Sequence, residues 1–456
     1  MPDTIVALAT PTGRSGIGVI RLSGGDSLRI ARKLVDDPCF SPKPRTAHLK
    51  QLQDPATCEV IDEAIITYFK APHSFTGEDV IEIACHGSPV LLRQVIDICL
   101  AQDARMAAAG EFTLRALANG RMNLSEAEAI RDLIDAQTTA SARQAIRQLR
   151  GELSKQLQPL KDNLLDVIVV LESAIEFVED DLPEIQAESV RLRLAAIAAE
   201  TGMLAATFQA GRLIREGLRV ALVGRPNVGK SSLFNVLLGS DRAIVTEIAG
   251  TTRDQIHERF MIGDIPISLI DTAGLRETND IVESIGVERS RATMADADIV
   301  IVMLDASETV TADDIEIIDL VSGIEHVIAF NKIDKVRPDE IANLKSQILD
   351  FKSQIVELSA KTGDGLDDLK KAIAEPFSPK DIASSGFLVT DARHHDLLVR
   401  SRAEIEQSLD QLNQKMSEEI VLIGLHNALR FLGQITGETT TEDMLTRIFS
   451  TFCIGK

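Results

Sequence analysis

Tryptophan is absent from this 456-residue chain and tyrosine occurs once. With so few broad rings, an aromatic platform for stacking single-stranded nucleic acid is not what the chain offers. Cysteine is scarce too: five residues, at 39, 58, 85, 99 and 453, an odd number with no CxxC pair. That usage fits reduced thiols in the cytoplasm and not a disulfide framework. Positive charge is in deficit, with 48 Lys and Arg against 69 Asp and Glu and a net charge of −21. A basic coat for nucleic acid is excluded, although a local basic patch is not. No apolar run reaches the roughly 18–20 residues of a membrane span. The opening MPDTIVALATPTGRSG has neither the basic start nor the long apolar stretch of a signal peptide.

What is present is the balance of an ordinary soluble protein, 45% hydrophobic and 26% charged. At roughly 150 residues per domain the length suggests about three domains. Three textures follow one another. Residues 1–116 mix short β-branched strands (17–22, 64–69, 80–84) with Gly/Pro turns and a helix near 90–100, an α+β domain. Gly13, Gly16 and Gly18 have the wrong spacing for a dinucleotide loop and read as a tight turn. Residues 117–215 turn rich in Ala, Leu, Glu, Gln and Arg; Ser125 and Glu128 have capping-box spacing at the start of a long helical run. Glu179-Asp180-Asp181 and Pro183 interrupt it as a solvated loop. From 216 to 376 apolar strands alternate with helices, the mark of a doubly wound, mostly parallel sheet. Helical texture returns over 377–456, where His394-His395-Asp396 reads as a solvated helix start. The simplest topology inserts an α/β nucleotide-binding domain between two halves of a helical domain.

The strongest motif is Gly224-Arg225-Pro226-Asn227-Val228-Gly229-Lys230-Ser231, followed by Ser232, placed between a strand and a helix. Its glycines let backbone N–H groups wrap phosphates, Lys230 reaches the outer phosphates and the Ser231 hydroxyl suits Mg²⁺. A chance match is expected in roughly 1–2% of chains this long. Four more segments follow in order. Thr246-Glu247-Ile248-Ala249-Gly250-Thr251-Thr252 offers hydroxyls as a first switch loop, and Asp271-Thr272-Ala273-Gly274 ends a strand near the metal and γ-phosphate. Asn331-Lys332-Ile333-Asp334 places a carboxylate where it accepts from N1 and N2 of guanine, and Ser359-Ala360-Lys361 offers an N–H to O6. Adenine lacks that donor pair and would leave the carboxylate unpaired, so the expected nucleotide is GTP or GDP.

These segments resemble the translation-factor-like GTPases, with one departure. Leu275 stands where many members carry a water-orienting Gln, and no arginine finger is evident. Asn227 could hold a monovalent cation in place of that charge. Glu283 could orient water through a bridging molecule, the plainer reading being a solvated carboxylate. A ribosome-assembly or other regulatory GTPase switch is the alternative to an enzyme subunit at this point.

The ends favour the enzyme subunit, with the switch kept as the alternative. The N-terminal ATPTGRSGIGVIRLSG and SFTGEDVIEI, together with DTAGLRET and the terminal FCIGK, resemble the tRNA-modification GTPase family MnmE (TrmE) over essentially the whole chain. The resemblance implies a multidomain architecture: a tetrahydrofolate-binding-like, dimer-forming N-terminal domain, a helical domain and an inserted Ras-like P-loop GTPase domain. It implies 5-formyltetrahydrofolate bound by Arg21, Glu78, Arg121 and Lys456, with 5,10-methylenetetrahydrofolate as the expected donor. Arg121 stands where a lysine would be expected. K⁺ would be held by Asn227, Thr246, Ile248 and Thr251, Mg²⁺ by Ser231 and Thr252, with Glu283 acting on water. The implied partner is the FAD protein MnmG, in a heterotetramer or larger complex that adds an aminomethyl or carboxymethylaminomethyl group to C5 of the wobble uridine (U34) of certain tRNAs. Cys453 is a candidate participant in that chemistry, and a structural cysteine is the alternative. The acidity is concentrated: residues 216–376 hold 17 basic and 29 acidic side chains, a balance of −12. That leaves tRNA gripping mainly to the partner.

Overall fold

The structure, a computed structural model, describes residues 3–176, 184–240, 258–262, 265–270, 297–348, 353–375, 386–438, 442–452 and 455. They form two compact units, one of Met1–Ile134, Ala145–Thr201 and Leu397–Lys456, the other of Asp135–Gln144 and Gly202–Asp396. No helix among the described residues is long and apolar enough to cross a membrane.

The first unit opens with six strands: β1 (Thr4–Leu8), β2 (Ser15–Ser23), β3 (Ala47–Gln53), β4 (Val60–Phe69), β5 (Val80–Gly87) and β6 (Ala104–Met106). They pair in the order β3-β4-β5-β2-β1-β6, antiparallel except for β1 with β6. Alternation along β2 and β5 sends Ile20, Leu22, Ile81 and Ile83 into a core shared with the helices Ser27–Leu34 and Pro89–Ala101. Of the three glycines expected in one tight turn, Gly13 has positive φ (128°), while Gly16 and Gly18 belong to β2. Gly18 is small for a packing reason: a Cβ there would lie 2.5 Å from the Leu92 side chain.

The capping box is not the expected one. The helix Leu124–Asp135 begins two residues earlier, with Asn123 Oδ1 accepting from Glu126 N (3.0 Å) and Glu126 Oε2 from Asn123 N (3.0 Å). Ser125 is inside the helix, and its hydroxyl donates to Asn123 Oδ1. Farther on, Glu152–Glu176 packs antiparallel to Glu418–Thr436: Lys161 pairs with Glu438 at one end and Glu172 with His426 at the other. Leu164, Val167, Ile168 and Leu171 are buried in the first of these helices, whereas Leu165 and Val169 are exposed.

The second unit holds β7 (Leu218–Val223), β8 (Glu258–Ile262), β9 (Ile265–Ile270), β10 (Ile299–Asp305), β11 (His326–Asn331) and β12 (Gln354–Glu357). The order is β12-β11-β10-β7-β9-β8, parallel throughout except for the β8–β9 hairpin. All seven residues of β10 are buried. Ile299, Ile301 and Met303 enter one core and Val300, Val302 and Leu304 the other, as a sheet covered on both faces requires. His394-His395 does begin a helix, Ala392–Asn413, but it is not a solvated start. His394 is fully buried and His395 stacks on Phe208, ring centroids 4.4 Å apart. Beside them Arg215 binds Asp391 at 2.7 Å. Burial would raise the Asp391 carboxyl, yet the His394 ring and the Arg215 guanidinium hold it well below the usual range.

Candidate functional site

At the carboxyl end of β7 the chain turns through residues 224–229 into the helix Lys230–Ser240. Gly224, Asn227 and Gly229 all have positive φ, at 145°, 64° and 103°. A Cβ on Gly224 would lie 2.4 Å from the Met303 carbonyl oxygen, and one on Gly229 would lie 2.1 Å from Asn331 Nδ2. The curvature therefore demands glycine at both places. The first turn of the helix that follows has N–H groups without a partner inside the helix, as any helix start does, and these are the donors an anion needs. Lys230 lies over the loop, donating from Nζ to the Gly224 and Arg225 carbonyls at 2.7 Å each. Burial lowers its pKa below the ordinary 10.5. Two neutral carbonyls are weak compensation for a desolvated ammonium, so an arriving phosphate would be favoured there. Ser231 and Ser232 are exposed in the first helical turn, while Val228 is buried beneath the loop.

The other strand-end segments are joined to this loop. Asn331, 2% exposed, donates from Nδ2 to the Val228 carbonyl (2.8 Å) and accepts from Ala360 N at Oδ1 (2.9 Å). Lys332, at φ 66°, donates to the Asn227 carbonyl (2.9 Å) and to Asp305 at the end of β10. Burial alone would raise the Asp305 pKa, but hydrogen bonds from Lys332 and Ser307 outweigh it and hold the group ionised. Asp334 is exposed, with Oδ1 accepting from the buried Ser359 hydroxyl at 2.7 Å. Lys361 is exposed beside them. Phosphate loop, Asn331–Asp334 segment and Ser359–Lys361 segment thus form one hydrogen-bonded rim at the carboxyl ends of parallel strands, where open α/β sheets bind ligands. Arg225 is committed elsewhere, to Asp314 (2.8 Å) and Glu308 (3.1 Å). The Asp314 hydrogen bond raises its pKa, and Asp314 is itself fixed in the capping box with Thr311.

Thr246, Glu247, Ile248, Ala249, Gly250, Thr251, Thr252, Asp271, Thr272, Ala273, Gly274 and Glu283 lie outside the described residues, as do Cys453 and Lys456 and the segment 179–181 with Pro183.

In the first unit, Arg21 on β2 faces its register partner Glu82 on β5, donating from Nε and Nη2 to Oε1 at 2.9 and 2.7 Å. The rings of Phe75 and Phe112 each lie 5.8 Å from its guanidinium carbon. Its Nη1 reaches the Gly455 carbonyl at 3.4 Å. Gly455 (φ 98°) is pressed on β1 so closely that a Cβ would sit 2.3 Å from the Leu8 carbonyl oxygen. Phe449 and Phe452 pack with Leu124 and Ala127 just before it. Glu78 accepts from the Ser23 hydroxyl (2.7 Å) and from Arg115. Arg121, exposed, packs over Gly77: a Cβ on that glycine would lie 3.3 Å from Arg121 Cγ.

Arg115, Glu82, Ser23 and Asp305 belong to these sites and were not among the expected residues. Arg115 carries a legible signal, a charge on the apolar face between Phe112 and Ala116 with Glu111 four residues before it. Glu82 is 61 residues from Arg21 in sequence and carries none.

Two family models match the chain, "GTP-binding protein TrmE N-terminus" over residues 4–121 and "MnmE helical domain" over residues 124–453. The tRNA modification GTPase MnmE of Koribacter versatilis is 45% identical and that of Aquifex aeolicus 42%, each over the whole of both chains. Among solved structures, Aquifex aeolicus Era bound to GDP·AlF4⁻ is 29% identical over 41% of this chain and 66% of its own, with a TM-score of 0.30. The chain belongs to the MnmE family of tRNA modification GTPases.

Proposed function

We propose that the chain hydrolyses GTP to GDP and, with the FAD protein MnmG, takes part in folate-dependent addition of an aminomethyl or carboxymethylaminomethyl group to C5 of the wobble uridine of certain tRNAs. The observation carrying the GTP part of this reading is the joined rim, in which Asn331 and Lys332 tie the phosphate loop to the segment bearing Asp334; the modification part rests on the family. Glycines at 224 and 229 leave room for phosphates, Lys230 exchanges carbonyls for a phosphate, and Asp334 reads the base. The remaining oxygen of Asp334 accepts from guanine while Ser359 holds the other.

Of the residues expected to hold the ions, the described ones, Ser231 and Asn227, are both exposed and carry suitable oxygens. Ser231 would offer its hydroxyl to Mg²⁺, with Thr252 as second protein ligand, and Asn227 would offer its side-chain amide oxygen to K⁺ alongside Thr246, Ile248 and Thr251. When bound, these cations supply positive charge against the oxygens of the transferring phosphoryl group. Arg225 cannot supply it, being paired with Asp314 and Glu308. Glu283 orients water, and Cys453 takes part in the modification chemistry.

The folate reading rests on Arg21, Glu78 and Arg121 in one neighbourhood of the first unit, with the Gly455 carbonyl 3.4 Å from the Arg21 guanidinium. Arg21 and Lys456 suit the glutamate carboxylates of a folate, and Glu78 suits the N–H donors of its pterin. The protein acts in the cytoplasm as a homodimer formed through the N-terminal domain (1–116), within a larger complex with MnmG. The helical halves are 117–215 and 377–456, and the GTPase domain is 216–376. With −12 of the charge in that last segment, the partner grips the tRNA.

The test pairs two measurements. GTP turnover is expected to be at least ~10-fold faster in K⁺ than in Na⁺, with the difference lost in Asn227→Ala; equal rates in both salts sink the cation assignment. Nucleoside analysis of tRNA from cells lacking the protein is expected to show unmodified wobble uridine, and an unchanged profile sinks the modification reading.

A further inference from the structure

Arg115 is 2% exposed. Its Nη1 donates to both Glu78 oxygens (3.3 and 3.1 Å) and to the Asp3 carbonyl (2.9 Å), and its Nη2 to Asp3 Oδ1 (2.9 Å) and Glu111 Oε1 (3.0 Å). Its Nε is buried with no acceptor among the described residues. A sealed guanidinium with one donor unpaired is costly, and an apolar side chain of similar volume in such a place is often as stable or more so. Packing alone does not account for the charge.

Glu78 does. Ser23 and Arg115 both donate to Glu78 Oε2, at 2.7 and 3.1 Å, while among the described residues Oε1 receives only the longer share of the Arg115 bond. Of the roughly four acceptor positions on a carboxylate, the open capacity is therefore on Oε1. The backbone is pinned as well, since Ser74 Oγ donates to the Glu78 carbonyl at 2.5 Å. We propose that Arg115 is a positioning residue for the folate site: it fixes the Glu78 carboxylate so that Oε1 is the atom presented to the N–H donors of a reduced pterin ring. The inference rests on the reading that Glu78 contacts folate.

The test is calorimetric titration of 5-formyltetrahydrofolate into the full chain and its variants. Arg115→Lys keeps the charge but loses the planar fork, and is expected to weaken binding ~10-fold or more. Glu78→Gln weakens it at least as much, and the double variant no further than Glu78→Gln alone, because the arginine acts through that carboxylate. Arg115→Met, which removes charge and donors, gives the same non-additivity should the lysine variant fail to fold. Arg105→Gln breaks contacts to Asp3 and Glu111 without touching Glu78; it is expected to lower the melting temperature and leave the affinity within twofold. Additive losses in the double variant, or a loss in Arg105→Gln equal to that in Arg115→Lys, overturn the inference while the folate reading stands. Absence of binding to the unaltered chain removes the folate reading and this inference together.

Discussion

Ser359 fixes one oxygen of Asp334 by a 2.7 Å hydrogen bond, and in the function proposed above the other accepts from the base. In Asp334→Asn the amide oxygen keeps the Ser359 hydroxyl and the amide nitrogen takes the outward place, presenting a donor to guanine's own donors. GTP affinity is expected to fall on the order of 10²-fold or more, while xanthosine triphosphate, which offers an acceptor there, gains. Competition binding with the two nucleotides checks this, and unchanged preference would remove Asp334 from the base site. The same scale explains what could be read from sequence. The phosphate loop and Asn331–Asp334 are contiguous strings whose chemistry travels with their spelling. Arg21 with Glu82, and Arg115 with Asp3 and Glu78, exist only once strands distant in sequence are paired.

For whole elements, local rules predicted existence better than boundaries. Ser125 and Glu128 satisfy capping-box spacing as well as Asn123 and Glu126 do, and only the backbone geometry decides for the second pair. Asn123 adds a hydrogen bond from its Nδ2 to Ser154 Oγ at 2.9 Å, tying the helix start to Glu152–Glu176. Asn123→Ala is expected to cost about 1 kcal/mol in urea unfolding, a typical N-cap loss; Ser125→Ala should cost less, and the reverse order would return the cap to Ser125. His394 departs from the expected solvated start for a related reason. Adjacent polar letters suggest solvent, yet a helix start packed against the helix Phe208–Glu216 buries one and stacks the next.

At the scale of the molecule, both units depend on carboxylates kept ionised. Arg105's hydrogen bond lowers the Asp3 pKa, and at Glu111 the Arg105 and Arg115 contacts outweigh the upward effect of burial. Asp305 and Asp391 do the same in the second unit. Ordinary values are 3.8 for Asp and 4.5 for Glu, and the folded values lie below them. The stability these groups contribute is therefore complete above the unfolded values and is lost as pH falls through the folded ones. Scanning calorimetry at pH 3.5 is expected to give lower transition temperatures than at pH 7 for both units; equal temperatures would mean that these pairs contribute nothing. The two sheets are visible in the sequence as alternating and continuous apolar runs, and so is the Glu111–Arg115 pair within one helix; the pairs of Asp3 with Arg105, Asp305 with Lys332 and Asp391 with Arg215 are not, since each joins side chains from separate segments.

The strand β10 has a bearing on motion. Buried along its whole length and hydrogen-bonded on both edges, it is the kind of segment whose amide protons exchange with solvent only through the largest openings of its unit. The phosphate loop is braced on that strand through Met303, and Lys332 is braced on it through Asp305. A cycle of binding and release can thus rearrange the rim without loosening its foundation, so each turnover begins from the same geometry.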